Sequence, residues 1–328
     1  MAALGYYSNS QTQSVIESTN SANPITSRLI TFTKKEDSSR LRLTYTDNLR
    51  VLNAGDRCVW QLMVRDTSGT QVACVNTDGR NKIAQFIHNG DASNEHRPHS
   101  IAGYCDGIDA GDYQLTVSVS TPDSANCYTG WSARLAQDPS DTPSRYYLEA
   151  QEIPANSPAL HIAYGGNSEL DDDAGTLGGG RELTFTKQLD DTPLRMFYHD
   201  NFRSAGGNAA CEWEIMIDGA SCPSRKLQGQ LYKADADNDH APDTIVGMCT
   251  GVSAGDHTVT IRVGTPDGYT NGNCYTGWSN TDTAIEVFTL EVDERPLTDR
   301  YFNWVNGNSK HGNQNGLILD RVLNFDKM

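Results

Sequence analysis

"CVWQLMV", Cys58–Val64, returns as "CEWEIMI", Cys211–Ile217. In the first copy Cys58, Trp60, Leu62 and Val64 fall on one side of an extended chain. In the second, Cys211, Trp213, Ile215 and Ile217 do the same, with Glu212 and Glu214 turned the other way. A period of two marks a strand with one face in a core and the other toward water. The same element is therefore written twice, and the surroundings of the two copies decide what it builds.

Working outward, the match continues. "NCYTGW" stands at Asn126–Trp131 and again at Asn273–Trp278. "AGDYQLTVSVSTP" lies over "AGDHTVTIRVGTP", each opened by Ala-Gly-Asp and closed by Thr-Pro, which is turn chemistry. Upstream, "SRLITFTKKEDSSRLRLTYTDNLR" matches "GRELTFTKQLDDTPLRMFYHDNFR", and "HRPHSI" matches "HAPDTI". The repeat is too long for a solenoid and has the size of a single domain. The chain divides into an N-terminal arm (1–23), a first repeat (24–137), an extended connector (138–178), a second repeat (179–292) and a C-terminal tail (293–328). Neither repeat shows a helical period over a helix-length window. The pattern predicts an all-β protein of two tandem homologous β-sandwiches, jelly-roll-like or immunoglobulin-like.

Trp60 and Trp213 are expected to plug the two cores, because aromatic side chains dominate the burial in such sandwiches. Trp131 and Trp278 are expected to pack where the motif bends into the last strand, the preceding glycine allowing the bend. Ligand stacking by these tryptophans is the sharper alternative. On this reading "NCYTGW" is a signature of the fold rather than a catalytic motif.

Composition narrows the function. Lys and Arg number 26 against 42 Asp and Glu, a net charge of −16, so there is no basic stripe to neutralise phosphate and no nucleic-acid partner is expected. No apolar run reaches membrane-spanning length, and the first residues carry no secretory apolar core. The eight cysteines split evenly between the repeats. Cys58, Cys105, Cys211 and Cys249 lie in strand patterns and read as buried thiols. Cys74 with Cys127, and Cys222 with Cys274, lie in loops and are the candidate disulfides if the protein is oxidised. No Cys-x-x-Cys pair suggests zinc. No Asn-x-Ser/Thr sequon occurs, which mildly disfavours passage through a eukaryotic secretory pathway.

Candidate chemistry is sparse. "DADNDHAPD", Asp235–Asp243, begins like a calcium loop, but His240 and Val246 stand where Gly and Glu are needed. His88, His96 and His99 fit no zinc spacing and read as a turn around Pro98. No nucleophile elbow, phosphate loop or dinucleotide fingerprint is present. Asp171–Asp173 sit in a Gly-rich connector unsuited to holding catalytic geometry. The expectation is a non-enzymatic protein without cofactor or metal.

The tail carries a third start. "SRLITFTK", "GRELTFTK" and "DRVLNFDK" align, so the chain begins another module and stops after its first strand. A lone strand has no sheet of its own. Leu319, Leu323 and Phe325, with Tyr301 and Phe302 upstream, are therefore the candidate self-association residues, docking by strand addition or in a groove. Subunits joined by heterologous contacts that do not close propagate into sheets, tubes or fibres.

The tandem modules with "GYCDG", "AGDYQLTV", "TP" and "NCYTGW" resemble the pyrenoid shell (PyShell) proteins of diatoms and related marine algae. The resemblance spans both modules. It implies a structural protein of the chloroplast stroma, at the pyrenoid periphery, that self-assembles into a sheet-like shell around the Rubisco condensate and supports carbon dioxide concentration and fixation. Its partners would be further copies of itself, with Rubisco and other pyrenoid proteins as candidates. The alternative reading is an extracellular two-domain β-sandwich, lectin-like, adhesive or fibre-forming, with disulfides and exposed aromatics that bind glycans.

Overall fold

The structure is a computed structural model that describes residues 5–9, 16–19, 24–72, 74, 83–88, 97–121, 125–130, 146–155, 157, 159–166, 170–171, 175–207, 209–233, 240–269, 273–277 and 287–295. The fold is all-β, as the sequence pattern predicts. The first module contains β1 (Gly5–Asn9), β2 (Ile16–Thr19), β3 (Pro24–Lys34), β4 (Arg40–Val51), β5 (Arg57–Asp66), β6 (Gln71–Val72), β7 (Ile83–His88), β8 (Arg97–Cys105), β9 (Gly111–Ser120), β10 (Asn126–Thr129) and β11 (Tyr147–Ile153). The second contains β12 (Leu160–Gly166), β13 (Leu170–Asp171), β14 (Gly175–Thr176), β15 (Glu182–Lys187), β16 (Leu194–Ala205), β17 (Ala209–Ile217), β18 (Ala220–Ser221), β19 (Leu227–Lys233), β20 (Ala241–Cys249), β21 (Gly255–Gly264), β22 (Asn273–Thr276) and β23 (Val287–Glu294).

Each module is two antiparallel sheets face to face. In the first, β4 is flanked by β8 on one side and by β11 and β10 on the other, with β1 and β2 outermost. The facing sheet runs β3-β9-β5, with β6 and β7 on the far side of β5. The second module repeats this around β16 and around β21-β17. The alternation read from sequence explains the layers. Leu41, Leu43 and Tyr45 of β4 are fully buried while Arg42, Thr44 and Thr46 between them are not. The two cores are separate clusters, one around Trp60 and the other around Trp213. Burying side chains of this size contributes about 1.5–3 kcal/mol each.

The structure moves the module boundaries. β1 lies in the expected arm and β11 in the expected connector, yet β1 pairs with β11, and β11 pairs with β4 along its whole length. Glu152 of β11 is buried and accepts hydrogen bonds from the Lys35 and Glu36 amides and the Ser39 hydroxyl. β12, also in the expected connector, pairs with β23 of the second module. The first copy carries a longer stretch between its motif and its last strand, so the sequence match breaks before β11 is reached. A free edge on β4 would leave backbone groups unpaired, and β11 supplies them.

The cysteines also need correction. The bridges are Cys58–Cys127 and Cys74–Cys105 in the first module, and Cys211–Cys274 and Cys222–Cys249 in the second. The expected Cys74–Cys127 and Cys222–Cys274 pairings are not formed, and the four strand cysteines are not thiols. Cys58 faces the core from one sheet and Cys127 from the other, with Cα atoms 5.9 Å apart, so the bridge spans the sandwich. Loop position was the wrong criterion, because a bridge needs facing Cβ vectors at close range.

Candidate functional surfaces

The repeated motif accounts for itself inside the core. Trp60 and Trp213 are buried, and their indole N–H groups donate to Thr129 Oγ1 at 2.8 Å and Thr276 Oγ1 at 2.6 Å. Two residues earlier on the same strands, Cys127 and Cys274 form the cross-sheet bridges. Tyr128 and Tyr275 point outward, under the Arg50 and Arg203 guanidinium groups. Gly130 has φ +74°, and a Cβ there would stand 2.6 Å from Arg28 Nη2.

That arginine belongs to a buried constellation. Arg28 Nε and Nη2 donate to Asp47 Oδ2 at 3.0 and 2.9 Å, Tyr45 Oη donates to the same oxygen at 2.7 Å, and the Asn48 amide donates to Oδ1. Arg181, Asp200, Tyr198 and Asn201 repeat it in the second module. Burial, reinforced by the neighbouring aspartate, holds both tyrosines well above their ordinary pKa. The two copies of Arg and Asp are legible in the matched strings "SRLI…YTDN" and "GREL…YHDN", a signal carried by residue identity and not by the period of two. Trp131, Trp278 and the tail residues Tyr301, Phe302, Leu319, Leu323 and Phe325 lie outside the described residues.

The modules meet through non-equivalent surfaces. The β7–β8 margin of the first module sits on the outer face of the β23-β16-β20 sheet of the second. The contact is rich in polar groups. Gln85 Nε2 donates to the Val287 carbonyl at 2.8 Å and stands 3.1 Å from His199 Nε2. Asn201 donates to the Phe86 carbonyl, and His88 and His240 exchange backbone hydrogen bonds. Arg42 reaches across to Glu291 at 2.8 Å, where Arg195 joins from the other side at 3.1 Å. Phe197 lies against both guanidinium groups. Burial lowers the His199 pKa to about 4, so the imidazole is neutral and its Nε2 can accept from Gln85. Two of the histidines that the sequence placed in a turn, His88 and His99, serve the junction, His99 Nδ1 lying 3.2 Å from the Pro242 carbonyl, while His96 lies outside the described residues. Among the described residues, no group of three or more His, Cys, Asp or Glu side chains could hold a metal ion.

A second surface is the outer face of the β15-β21-β17-β19 sheet. Glu212 and Glu214 project outward from β17, as the sequence places them, yet both are nearly inaccessible. Arg262 of β21 bridges them at 3.3 and 2.6 Å, Gln230 of β19 donates to Glu212 at 2.8 Å, and Ser221 donates to Glu214. At the other end of this face a groove of about 460 Å³ is lined by Thr184, Thr186, Thr258, Asp218, Asp256 and His257. His257 Nδ1 lies 2.7 Å from Asp218 and Nε2 lies 2.9 Å from the Ser253 carbonyl. Burial opposes its charged form, but these two acceptors outweigh it and raise the His257 pKa. Asp218 has φ +51°, the one positive value at a non-glycine among the described residues.

The model of the CTHRC1 C-terminal domain matches this chain twice, at residues 8–136 and 161–285. The chain belongs to the CTHRC1 C-terminal domain family. Both matches begin in the strands that the structure adds ahead of the repeats, β1 and β12, and close at 136 and 285, before β11 and β23. Among solved structures, the tandem CBM22-1–CBM22-2 domains of Paenibacillus barcinonensis Xyn10C are 10% identical over 90% of this chain and 92% of that one, with a TM-score of 0.22. A peptide-N(4)-(N-acetyl-β-D-glucosaminyl) asparagine amidase is 8% identical over 85% and 96%, with a TM-score of 0.32. Superpositions this loose carry no argument about function. Within the CTHRC1-type modules, no described helix is long and apolar enough to cross a membrane.

Proposed function

We propose that this chain is an extracellular, non-enzymatic β-sandwich protein of the adhesive or lectin-like kind, in which two CTHRC1-type modules form one junctioned unit. The observation that carries the reading is the pairing of all eight cysteines into four bridges. Such a set persists in oxidising compartments and is rare where thiols are kept reduced. The family, one of secreted proteins, supports the same compartment. A stromal shell would hold these cysteines as thiols, so the bridges favour the extracellular reading over the pyrenoid one. The experiment is alkylation of the protein directly in its native source, followed by peptide mapping without reduction. The expected outcome is no alkylated cysteine and the four stated pairs. Eight alkylated thiols would sink the extracellular reading and restore the stromal one.

Self-association is a second reading, favoured by one observation. The intramolecular junction joins the margin of one module to the face of the other, a heterologous contact that leaves the equivalent margin of the second module without a counterpart face among the described residues. Val246, 56% exposed, lies beside Phe197 near that margin. Negative-stain microscopy and light scattering over a concentration series test this. Sheets, tubes or growing mass support it, and a constant monomer mass rejects it.

A further inference from the structure

We propose that the outer face of the β21-β17-β19 sheet in the second module is a binding site for a neutral carbohydrate chain, with Tyr232 and Tyr269 as its aromatic walls. The proposal rests on the extracellular reading only for where such a ligand would be met. Tyr232 and Tyr269 are 51% and 44% exposed, and their ring centroids are 5.7 Å apart at an angle of 52°. They are two of the four large apolar side chains exposed among the described residues, and they stand together.

The floor beside them is low. β17 sets Ala210 opposite Tyr232, and Glu212 opposite both Gln230 and Gly264. A Cβ built on Gly264 would meet nothing within 4 Å, so the sheet is open there. Next to this floor stands the fixed polar row: Gln230, Glu212, Arg262 and Glu214, held to one another by hydrogen bonds. Adjacent strands are about 4.8 Å apart, so aromatic walls and polar row lie within the span of one oligosaccharide. Flat C–H faces of sugar rings stack on aromatic rings. Vicinal hydroxyl groups suit the exposed Gln230 amide and the partly exposed Arg262 guanidinium, which the buried Glu212 and Glu214 carboxylates hold in place from below, lowering the ordering cost of binding.

Charge selects among sugars. Two carboxylates, Glu212 and Glu214, face one guanidinium, Arg262, and one ammonium, Lys226 Nζ, 3.9 Å from Glu212. The row is locally compensated within a chain of net charge −16, which repels a polyanion at long range. With polyanions repelled and both carboxylates already paired to Lys226 and Arg262, a neutral polyol fits the face best. Among the described residues the first module lacks this row: the strand register sets Val59 opposite Phe86 and Ser120 where the second has Glu212, Gln230 and Gly264. The described residues thus offer one such site per chain.

The test is calorimetric titration of the full chain with neutral oligosaccharides of glucose, xylose, mannose and galactose, with an acidic uronate oligosaccharide and a proline-rich peptide as contrasts. The expected result is saturable binding of at least one neutral oligosaccharide at one per chain, little changed by salt. Tyr232→Ala and Tyr269→Ala should each weaken it about tenfold or more, as truncation of an anchoring tyrosine does. Both variants should melt at the wild-type temperature, while Leu189→Ala, on an exposed loop residue elsewhere, leaves affinity unchanged. Binding that survives both tyrosine variants, binding of the uronate or the peptide alone, or no neutral ligand at all overturns the proposal. None of these outcomes alters the disulfide map, so the site can fail while the extracellular reading stands.

Discussion

At matched positions the two modules present opposite chemistry. Val59, Ala84 and Phe86 form a small apolar cluster on the outer face of the first module, each no more than 5% exposed. Their counterparts in the second module are Glu212, Gln228 and Gln230, a charged and amide-bearing row open to solvent at its rim. Beneath both faces the cores agree group by group: cross-sheet bridge, indole–threonine hydrogen bond, Arg–Asp–Tyr constellation. Duplication has kept what interlocks and freed what does not. A core side chain touches several others at once and is costly to change. An outward side chain answers only to its neighbours on the sheet.

The strongest way to break this comparison is to attack the shared core. Asp47→Ala and Asp200→Ala each strand a buried guanidinium and should cost about 3–5 kcal/mol, lowering the melting temperature measured by calorimetry. Similar losses in both modules are expected; a loss below about 1 kcal/mol in either would show that the constellation is not equivalent. Replacing Cys58 and Cys127 together by Ala should cost about 2–4 kcal/mol, and the Cys211, Cys274 pair the same, read by denaturant midpoint.

The junction gives a prediction with a sign. His199 is held neutral with a pKa of about 4, against about 6.5 when unfolded. The unfolded state therefore binds more protons between these values. The contribution is complete above about pH 6.5 and is lost as pH falls toward 4, at most about 3 kcal/mol. Asp200 and Glu291 nearby act the other way, favouring the charged form. Protease nicking or small-angle scattering should show the modules separating in acid, and His199→Gln should flatten that profile. His257 has the opposite sign: its raised pKa stabilises at low pH, and the contribution fades as pH climbs through the raised value.

The smallest effect sharpens the comparison most. Giving the second module the residues of the first, Glu212→Val with Glu214→Gln and Arg262→Ser, removes both carboxylates and the guanidinium together, leaves the exposed Lys226 to solvent, and should change stability by under about 1 kcal/mol. The reverse exchange, Val59→Glu with Gln61→Glu and Ser118→Arg, puts charge where the face is covered and should cost several times more. Equal costs would mean that the two faces are not differently used.

Sequence by itself determined the class, the duplication and the core. The period of two in "CVWQLMV" and "CEWEIMI" places Trp60 and Trp213 inward, and burial follows because each apolar residue on that face has one sheet to hide beneath. It could not pair the cysteines: Cys58 and Cys127 are 69 residues apart and meet only when two sheets close on each other. Nor could it assign β1, β11 and β12 to modules, since an edge strand is defined by the partner whose backbone it completes. His199 and Gln85 read as ordinary polar residues until the junction buries them together. Tyr232 and Tyr269, thirty-seven positions apart, become one surface only through the register of β19 on β17 and the loop that follows β21. Periodicity is local and written along the chain. Facing, pairing and coverage are long-range, and only the closed sandwich supplies them.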